Sequence, residues 1–242
     1  MQERHLDIQT EEGEMNSFIV HPEEGGPFPV VIFYMDAPGK REELHDMARR
    51  IASVGYYVVL PNLYYRDERE FHLGMPGASR ERMFELMSRI SNAMVCEDTR
   101  SILDFLEGEE TAGTGPVGTV GYCMSGPFVF AAAAAFPERI KASASLHGVR
   151  LFTDDASSPH LSADKITGEM YFGCAETDEW APPEMIEKLD SHLAETGIDY
   201  RIEWYPGTHH GFVFPQREGI YVKDAAERHW ERLFAMWKRT IG

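Results

Sequence analysis

The sequence predicts an α/β protein in which helices cover both faces of a mainly parallel sheet. Short apolar or β-branched runs, typical of strands buried on both faces, recur along the chain. Helical patterns lie between them, and after two initial strands without an intervening helix, strand and helix mostly alternate. The chain has 242 residues, 43% of them hydrophobic, which is enough for a sizeable core, and we expect a single domain over residues 1–242.

The individual elements follow from local patterns. Residues 42–54, for example, place Leu44, Met47 and Ile51 on one helical face, and Gly55 follows as a stop. The first two strands are expected to form an antiparallel start to the sheet. Strands are predicted over residues 5–9, 16–20, 30–34, 56–60, 117–122, 142–146, 169–172 and 200–204. Helices are predicted over residues 42–54, 80–94, 97–105, 183–194 and 224–239, and an alanine-rich helix follows residue 122.

Charge and cysteine usage argue against several classes of function. Basic residues number 23 and acidic residues 40, so the formal net charge of −17 argues against nucleic acid or an anionic membrane surface as partner. The longest apolar run, residues 128–136, is too short for a membrane span, and the first residues lack the apolar segment of a secretory signal. Three cysteines without a CxxC pair are typical of reduced thiols. We therefore expect a cytoplasmic protein that acts on a small molecule.

The most informative stretch is residues 117–126, in which a β-run ends, Cys123 protrudes and a helix follows. That order is typical of a nucleophile elbow, a sharp strand–turn–helix whose strained backbone needs small residues on both sides. Gly121 stands two residues before the cysteine, and Ser125 and Gly126 stand two and three after it. The start of the helix would also favour a thiolate. The alternative is a buried structural cysteine ahead of an ordinary helix.

A candidate acid follows the strand predicted over residues 169–172. Asp178 lies on the loop after this strand, just before the chain enters the next helix. A carboxylate there suits the acid that orients a catalytic imidazole. Glu176 and Glu179 are local rivals, and the alternative role for Asp178 is a helix-capping or loop-turn aspartate.

A candidate general base follows the last predicted strand. Of the adjacent pair His209 and His210 we favour His210, because Gly211 allows close approach and Phe212 can anchor the loop in the core. The alternative is a surface histidine or a histidine satisfied within the core. The chain order nucleophile, acid, base nevertheless favours a triad.

Together these motifs resemble the dienelactone hydrolases. The resemblance is carried by Gly-Tyr-Cys-Met-Ser-Gly at 121–126, by Asp178 before Trp-Ala-Pro, and by Tyr-Pro-Gly and His-Gly-Phe within 205–212. It extends through the strand at 30–34 and residues 55–64, and so covers nearly the whole chain. It implies an α/β-hydrolase fold and a Cys-His-Asp triad of Cys123, His210 and Asp178. Such a triad acts on a small ester or lactone through a thioester, with no metal and no other cofactor.

The chain departs from the family pattern at two positions. The family usually has glycine two residues after the cysteine, where this chain has Ser125, whose side chain must be accommodated where the elbow helix packs on its strand. In the best-known members a glutamate after the early strand contacts the resting thiol. The matching residue here is Asp36, one methylene shorter, and its alternative role is a turn residue ahead of 37–39.

The resemblance also implies an oxyanion hole and a substrate pocket. In the usual arrangement of the fold, the backbone N–H groups of Met124 and Ala37 would bind the oxyanion. Arg66 and Arg82 are candidates for gripping a substrate carboxylate, and their alternative role is a solvated surface charge. Four aromatic residues are candidates either for lining a partly apolar pocket or for the core: Tyr64, Tyr65, Trp180 and Phe212.

Other patterns and functions compete less well. Residues 113–118 match GxGxxG, but they precede a strand and contain Pro116, which disfavours a dinucleotide site. The histidines lack a metal-ligand spacing. The competing function is a non-catalytic binding or regulatory protein on the same scaffold, suggested by Ser125 and Asp36. A carbon–halogen or carbon–carbon hydrolase is a third possibility, although those enzymes usually place aspartate or serine at the elbow. The sequence leaves the oligomeric state open.

Overall fold

The computed structural model describes residues 1–242, which form one eight-stranded sheet and six α-helices. The strands are β1 (Gln2–Thr10), β2 (Gly13–His21), β3 (Phe28–Tyr34), β4 (Tyr57–Pro61), β5 (Ala112–Tyr122), β6 (Ile140–Leu146), β7 (Glu169–Thr177) and β8 (Tyr200–His209). The helices are α1 (Glu42–Ala52), α2 (Arg80–Ser88), α3 (Asn92–Leu106), α4 (Gly126–Ala135), α5 (Pro183–Thr196) and α6 (Lys223–Thr240). Two short 3₁₀ segments are Cys123–Ser125 and Pro159–Lys165.

The sheet has an antiparallel start and a parallel remainder, as predicted. Its strand order is β1-β2-β4-β3-β5-β6-β7-β8. β2 pairs antiparallel with both β1 and β4, and every pairing from β4 through β3 to β8 is parallel. All eight predicted strands are present, and the predicted fold class is confirmed.

One predicted helix is wrong. The chain does not run as a single helix over residues 80–94, because α2 ends at Ser88 and α3 begins at Asn92. The Ser91 side chain accepts a hydrogen bond from the backbone N–H of Met94 and so caps the start of α3. The segment predicted as a separate helix at 97–105 is therefore the body of α3. The 3₁₀ segment Pro159–Lys165 has no counterpart among the predicted elements.

Strand β5 passes between helices on both faces of the sheet. A Cβ on Gly118 would come within 2.9 Å of the Trp237 ring on α6, and one on Gly121 would come within 2.6 Å of Val129 on α4. Glycine at these two positions lets both helices approach the strand closely. α4 is apolar all round and almost wholly buried, as expected of a helix enclosed by the fold.

The parallel strands bring the candidate residues to one edge of the sheet. Asp36, Cys123, Asp178 and His210 follow the carboxyl ends of β3, β5, β7 and β8 respectively. In open α/β sheets this edge is where ligands bind. The structure contains no helix with the length and hydrophobicity that a bilayer crossing requires.

Candidate active site

Cys123 lies at the elbow between β5 and α4 with a strained backbone. Its φ is 55°, in the left-handed region that non-glycine residues rarely adopt. Close packing around the turn requires glycine nearby, because a Cβ on Gly121 would lie 2.5 Å from the carbonyl oxygen of Ser125. A Cβ on Gly126 would lie 2.4 Å from the Cα of Gly148. The side chain of Cys123 is partly exposed, whereas its neighbours in the turn are buried.

Ser125 is accommodated by a specific hydrogen bond. Its side chain is fully buried, and its hydroxyl donates to the backbone carbonyl of Met35, directly after β3. The residue that departs from the family pattern therefore joins the elbow to the neighbouring strand end. It does not distort the turn, since the backbone of Ser125 is right-handed with a φ of −88°.

Asp178 and His210 are hydrogen-bonded to each other. His210 Nδ1 donates to Asp178 Oδ2 over 2.8 Å, and both side chains are largely buried. The other carboxylate oxygen of Asp178 accepts from the backbone N–H groups of Trp180 and Ala181, at 2.9 and 3.0 Å. Asp178 is thus both a loop-turn residue and the partner of His210.

The local rivals lie elsewhere. Glu176 is exposed and accepts a hydrogen bond from the backbone N–H of Gly207 over 2.8 Å. Glu179 and His209 are also exposed. Of the neighbouring acidic residues and histidines, only Asp178 and His210 make the buried acid–imidazole pair.

The ring of His210 lies between Asp178 and the sulfur of Cys123. Burial alone would lower its pKa, but the hydrogen bond that the ring donates to Asp178 and the proximity of Cys123 together raise the pKa of His210 to about 9. Its Nε2 is buried and completes no hydrogen bond of ordinary geometry. The raised pKa favours the protonated form of the ring at neutral pH.

Ala37 and Met124 are linked through Tyr64. The Tyr64 hydroxyl donates to the carbonyl oxygen of Ala37 over 2.7 Å and lies 3.5 Å from the sulfur of Met124. Ala37 is buried, yet its backbone N–H donates to no acceptor within the chain. Buried N–H groups are rarely left without an acceptor, so this donor is available to a ligand.

Asp36 makes no hydrogen bond to the thiol, in contrast to the sequence prediction. Its carboxylate is fully buried and is bound by two arginines, Arg41 at 2.5 Å and Arg217 at 3.2 Å. Arg41 also reaches Glu43, at 2.6 Å. The shorter side chain of Asp36 is held in this charged cluster and makes no hydrogen bond to Cys123.

Carboxylates of the chain already bind Arg66 and Arg82, the two candidates for gripping a substrate carboxylate. Arg66 forms two hydrogen bonds to the buried Asp98, at 2.7 and 3.0 Å. Arg82 pairs with Glu68 at 2.6 Å and with Glu85 at 2.8 Å. Both guanidinium groups form ion pairs within the chain.

The aromatic candidates divide between surface and core. Trp180 is 50% exposed and stacks on the ring of Phe84, with centroids 6.1 Å apart. Phe212 is fully buried, and its ring centroid lies 4.8 Å from that of Tyr205. Phe212 therefore belongs to the core beside the His210 loop, whereas the exposed Trp180 lies on the loop that carries Asp178.

A cavity that the sequence did not reveal lies beside Met124. It has a volume of about 320 Å³ and lies between the end of α2, the start of α4 and the loop after β6. Arg150 lines it, is exposed, and makes no ion pair with the chain. The hydroxyl-bearing side chains that line the cavity include those of Ser88, Ser91 and Thr153.

No three His, Cys, Asp or Glu side chains lie together in a way that could hold a metal ion.

Two further residues were missed because no motif marks them. His147 follows β6, and its ring centroid lies 4.7 Å from that of His210. Arg217 lies on the loop after His210 and reaches Asp36 across 181 positions of sequence. A lone histidine and a loop arginine carry no sequence signal of such long-range contacts.

Comparisons with known proteins identify the family of the chain. Residues 15–241 match the family model described as "Dienelactone hydrolase family". A Synechocystis protein named "Putative carboxymethylenebutenolidase" is 26% identical over 233 residues, covering 94% of this chain and 93% of that protein. An Escherichia coli protein of the same name is 26% identical over 247 residues, covering 97% and 86%.

Solved structures share the fold. A crystal structure from Klebsiella pneumoniae, described as a "Putative Dienelactone Hydrolase", superposes with a TM-score of 0.88 at 22% identity and covers 98% of each chain. An acylaminoacyl peptidase from Pyrococcus horikoshii superposes with a TM-score of 0.74 at 17% identity, covering 99% of this chain and 42% of that one. The predicted α/β-hydrolase fold is confirmed, and so is the expectation of a hydrolase. Because the family model matches nearly the whole chain, this protein belongs to the dienelactone hydrolase family.

Proposed function

We propose that the protein hydrolyses small esters or lactones with a triad of Cys123, His210 and Asp178 through a thioester intermediate. The observation that carries the proposal is the position of the His210 ring. Asp178 binds one ring nitrogen at 2.8 Å, and the sulfur at the strained elbow lies close enough on the other side to raise the pKa of the ring. An imidazolium beside a cysteine at a helix start favours the thiolate, which is the nucleophilic form.

In acylation, the Cys123 thiolate attacks the carbonyl carbon and the electron pair moves to the carbonyl oxygen. We assign the N–H groups of Met124 and Ala37 to this oxyanion, since the Ala37 N–H has no acceptor of its own. When the tetrahedral intermediate collapses, the bond between carbonyl carbon and alcohol oxygen breaks. His210 gives its Nε2 proton to the leaving alkoxide, and the acyl group stays on sulfur as a thioester.

In deacylation, the neutral His210 takes a proton from water as the water attacks the thioester carbonyl. The carbon–sulfur bond breaks, the acid is released, and the imidazolium and thiolate are restored. Asp178 holds the tautomer and stabilises the imidazolium in both half-reactions. Esters and lactones suit this chemistry better than amides, because a thiolate is a better leaving group than an unprotonated amine.

The size of the cavity beside Met124 favours a small substrate, since Met124, the residue directly after Cys123, helps to line it. Its volume of about 320 Å³ is at the lower end of ligand pockets. The relatives are named "Putative carboxymethylenebutenolidase", a name for an enzyme that hydrolyses a small lactone. We propose small lactones as the substrate class of this chain. We also propose the cytoplasm as its location, because all three cysteines are unpaired.

Selective labelling combined with kinetics tests the triad. The wild type should hydrolyse p-nitrophenyl acetate, and the C123A variant should lose hydrolysis. Iodoacetamide should modify Cys123 alone, because burial raises the pKa of Cys96 to about 11 and that of Cys174 to about 12. C96S is the matched control, and it should retain full activity. Slow, equal labelling of all three thiols without turnover of any ester or lactone would instead favour the non-catalytic binding protein.

A further inference from the structure

The chain buries a second histidine against His210. His147 directly follows β6 with a φ of 39°, a strained conformation for a residue with a side chain. Its backbone N–H donates to the carbonyl oxygen of Gly173 on β7 over 2.6 Å, which fixes this conformation. The side chain is turned inward and is almost completely buried.

The ring of His147 packs among four aromatic rings. Its centroid lies 4.7 Å from that of His210, with the planes at 65°, an edge-to-face arrangement. Phe214, Phe212 and Tyr122 surround it at centroid distances of 5.8 to 5.9 Å. Neither ring nitrogen has a hydrogen-bond partner. Two buried nitrogens without hydrogen-bond partners reduce the stability of the folded chain. Residues that reduce stability in this way are typical of functional sites.

Burial and neighbouring positive charge keep the His147 ring neutral. Burial, and the positive charge of His210, hold its pKa well below the ordinary value for histidine, and Arg217 acts in the same direction. Asp178 and Cys123 favour the charge on His210 instead. The pair therefore has one charged and one neutral ring. In an edge-to-face pair, a cationic ring edge directed at the face of a neutral aromatic ring is a favourable contact.

We propose that His147 is a positioning residue, whose neutral ring holds the plane of His210 between Asp178 and Cys123 and stabilises the imidazolium. The inference rests on the proposed role of His210 as general base. His147 does not touch the substrate, and it takes no proton in either half-reaction. Its effect on the reaction comes through His210 alone.

Two variants distinguish the effect of the aromatic ring of His147 from the effect of its side-chain volume. His147→Leu keeps a side chain of similar bulk without a ring, and His147→Phe keeps a ring without nitrogens. We expect His147→Leu to lower kcat for p-nitrophenyl acetate about tenfold with little change in KM. In an NMR titration, the His210 midpoint should fall by about one pH unit, the shift equivalent to that tenfold effect. His147→Phe should stay within about twofold of the wild type and melt at a higher temperature, because it removes the unpartnered nitrogens.

Several results would overturn the proposal. Equal His210 midpoints in the wild type and His147→Leu would do so, as would a His147→Phe variant that behaves like the leucine variant. The wild type supplies a test that depends on no substitution, because a His147 ring that gains a proton near neutral pH would contradict a neutral partner. The titration reads His210 without turnover. A wild type that titrates as expected but hydrolyses no ester would therefore refute the proposed function, whereas equal midpoints with intact hydrolysis would refute the role of His147 alone.

Discussion

The three cysteines lie in different environments. Burial raises the pKa of Cys96 and Cys174, so their thiols stay protonated at neutral pH. Cys123 alone combines a strained turn, partial exposure and a neighbouring imidazole. The distinction could be predicted from the small residues around Cys123 and from the later positions of Asp178 and His210.

Other side chains could not be predicted, because their partners are distant in sequence. Asp36 was expected to contact the thiol, but Arg217, 181 positions away, and the nearer Arg41 bind its carboxylate. Arg66 was a candidate either for binding a substrate carboxylate or for a solvated surface charge, but it pairs with the buried Asp98 on α3. Ion pairing between separate elements depends on the assembled fold, and no local pattern records it.

The hydrogen bond between Asp178 and His210 gives the first prediction. Asp178→Asn should reduce kcat by about 10⁴-fold, because an amide can hold the imidazole in the wrong tautomer and does not stabilise its charge. The measurement is steady-state hydrolysis of p-nitrophenyl acetate. Glu179→Gln, an exposed acid one residue away, is the matched control and should keep wild-type kinetics. An Asp178→Asn variant with near wild-type kcat would contradict the assignment of the acid.

At the scale of the element, the elbow depends on close backbone packing between α4 and the loop after β6. The sequence predicted the elbow, since strand, small residues and helix follow one another along the chain. It did not predict the division between α2 and α3, because apolar residues continue through the break and the Ser91 cap outweighs that pattern. Local capping thus decided the helix boundary.

Gly126→Ala tests that packing. The new Cβ would lie 2.4 Å from the Cα of Gly148, a backbone atom that cannot move away easily. We expect the free energy of unfolding to fall by about 1–3 kcal/mol, or more if the elbow cannot adjust. Chemical denaturation measures the change. Gly115→Ala, where no atom lies within 4 Å of the added Cβ, should leave stability nearly unchanged.

The hydroxyl of Ser125 gives a second prediction for the elbow. Ser125→Ala removes the donor to the Met35 carbonyl and leaves that buried oxygen without it. The variant should lose about 1–3 kcal/mol of stability, measured by denaturant unfolding. Ser101→Ala, which removes an exposed hydroxyl on α3, is the control and should change stability little. A fully stable Ser125→Ala variant would mean that the hydroxyl is only tolerated at the elbow.

At the scale of the whole molecule, the fold could be predicted because the hydrophobic pattern of the sequence indicates alternating strands and helices. The sheet then brings residues from four strand ends to one edge, although they are far apart in sequence. The cavity beside Met124 could not be predicted, because its lining comes from α2, α4 and the loop after β6. Its shape depends on how these segments pack.

The raised pKa of His210 predicts how stability depends on pH. The pKa is about 9 in the folded chain and about 6.5 when unfolded, so the folded state binds the proton more tightly. This contribution is fully present below about pH 6.5, declines as the pH rises, and is lost once the pH passes about 9. Denaturant unfolding across this range should show the decline in the wild type. The stability difference between the wild type and His210→Asn should show the same decline with pH. A stability difference that does not change with pH would contradict a raised pKa of His210.

The most direct measurement is the mass of peptides from enzyme that is quenched in acid during turnover of p-nitrophenyl acetate. We predict an acetyl group on the peptide that contains Cys123, formed and lost at rates that match turnover, and no acetyl group on Cys96 or Cys174. Steady turnover with an unmodified Cys123 peptide, or with an acyl group on another residue, would contradict the thioester mechanism.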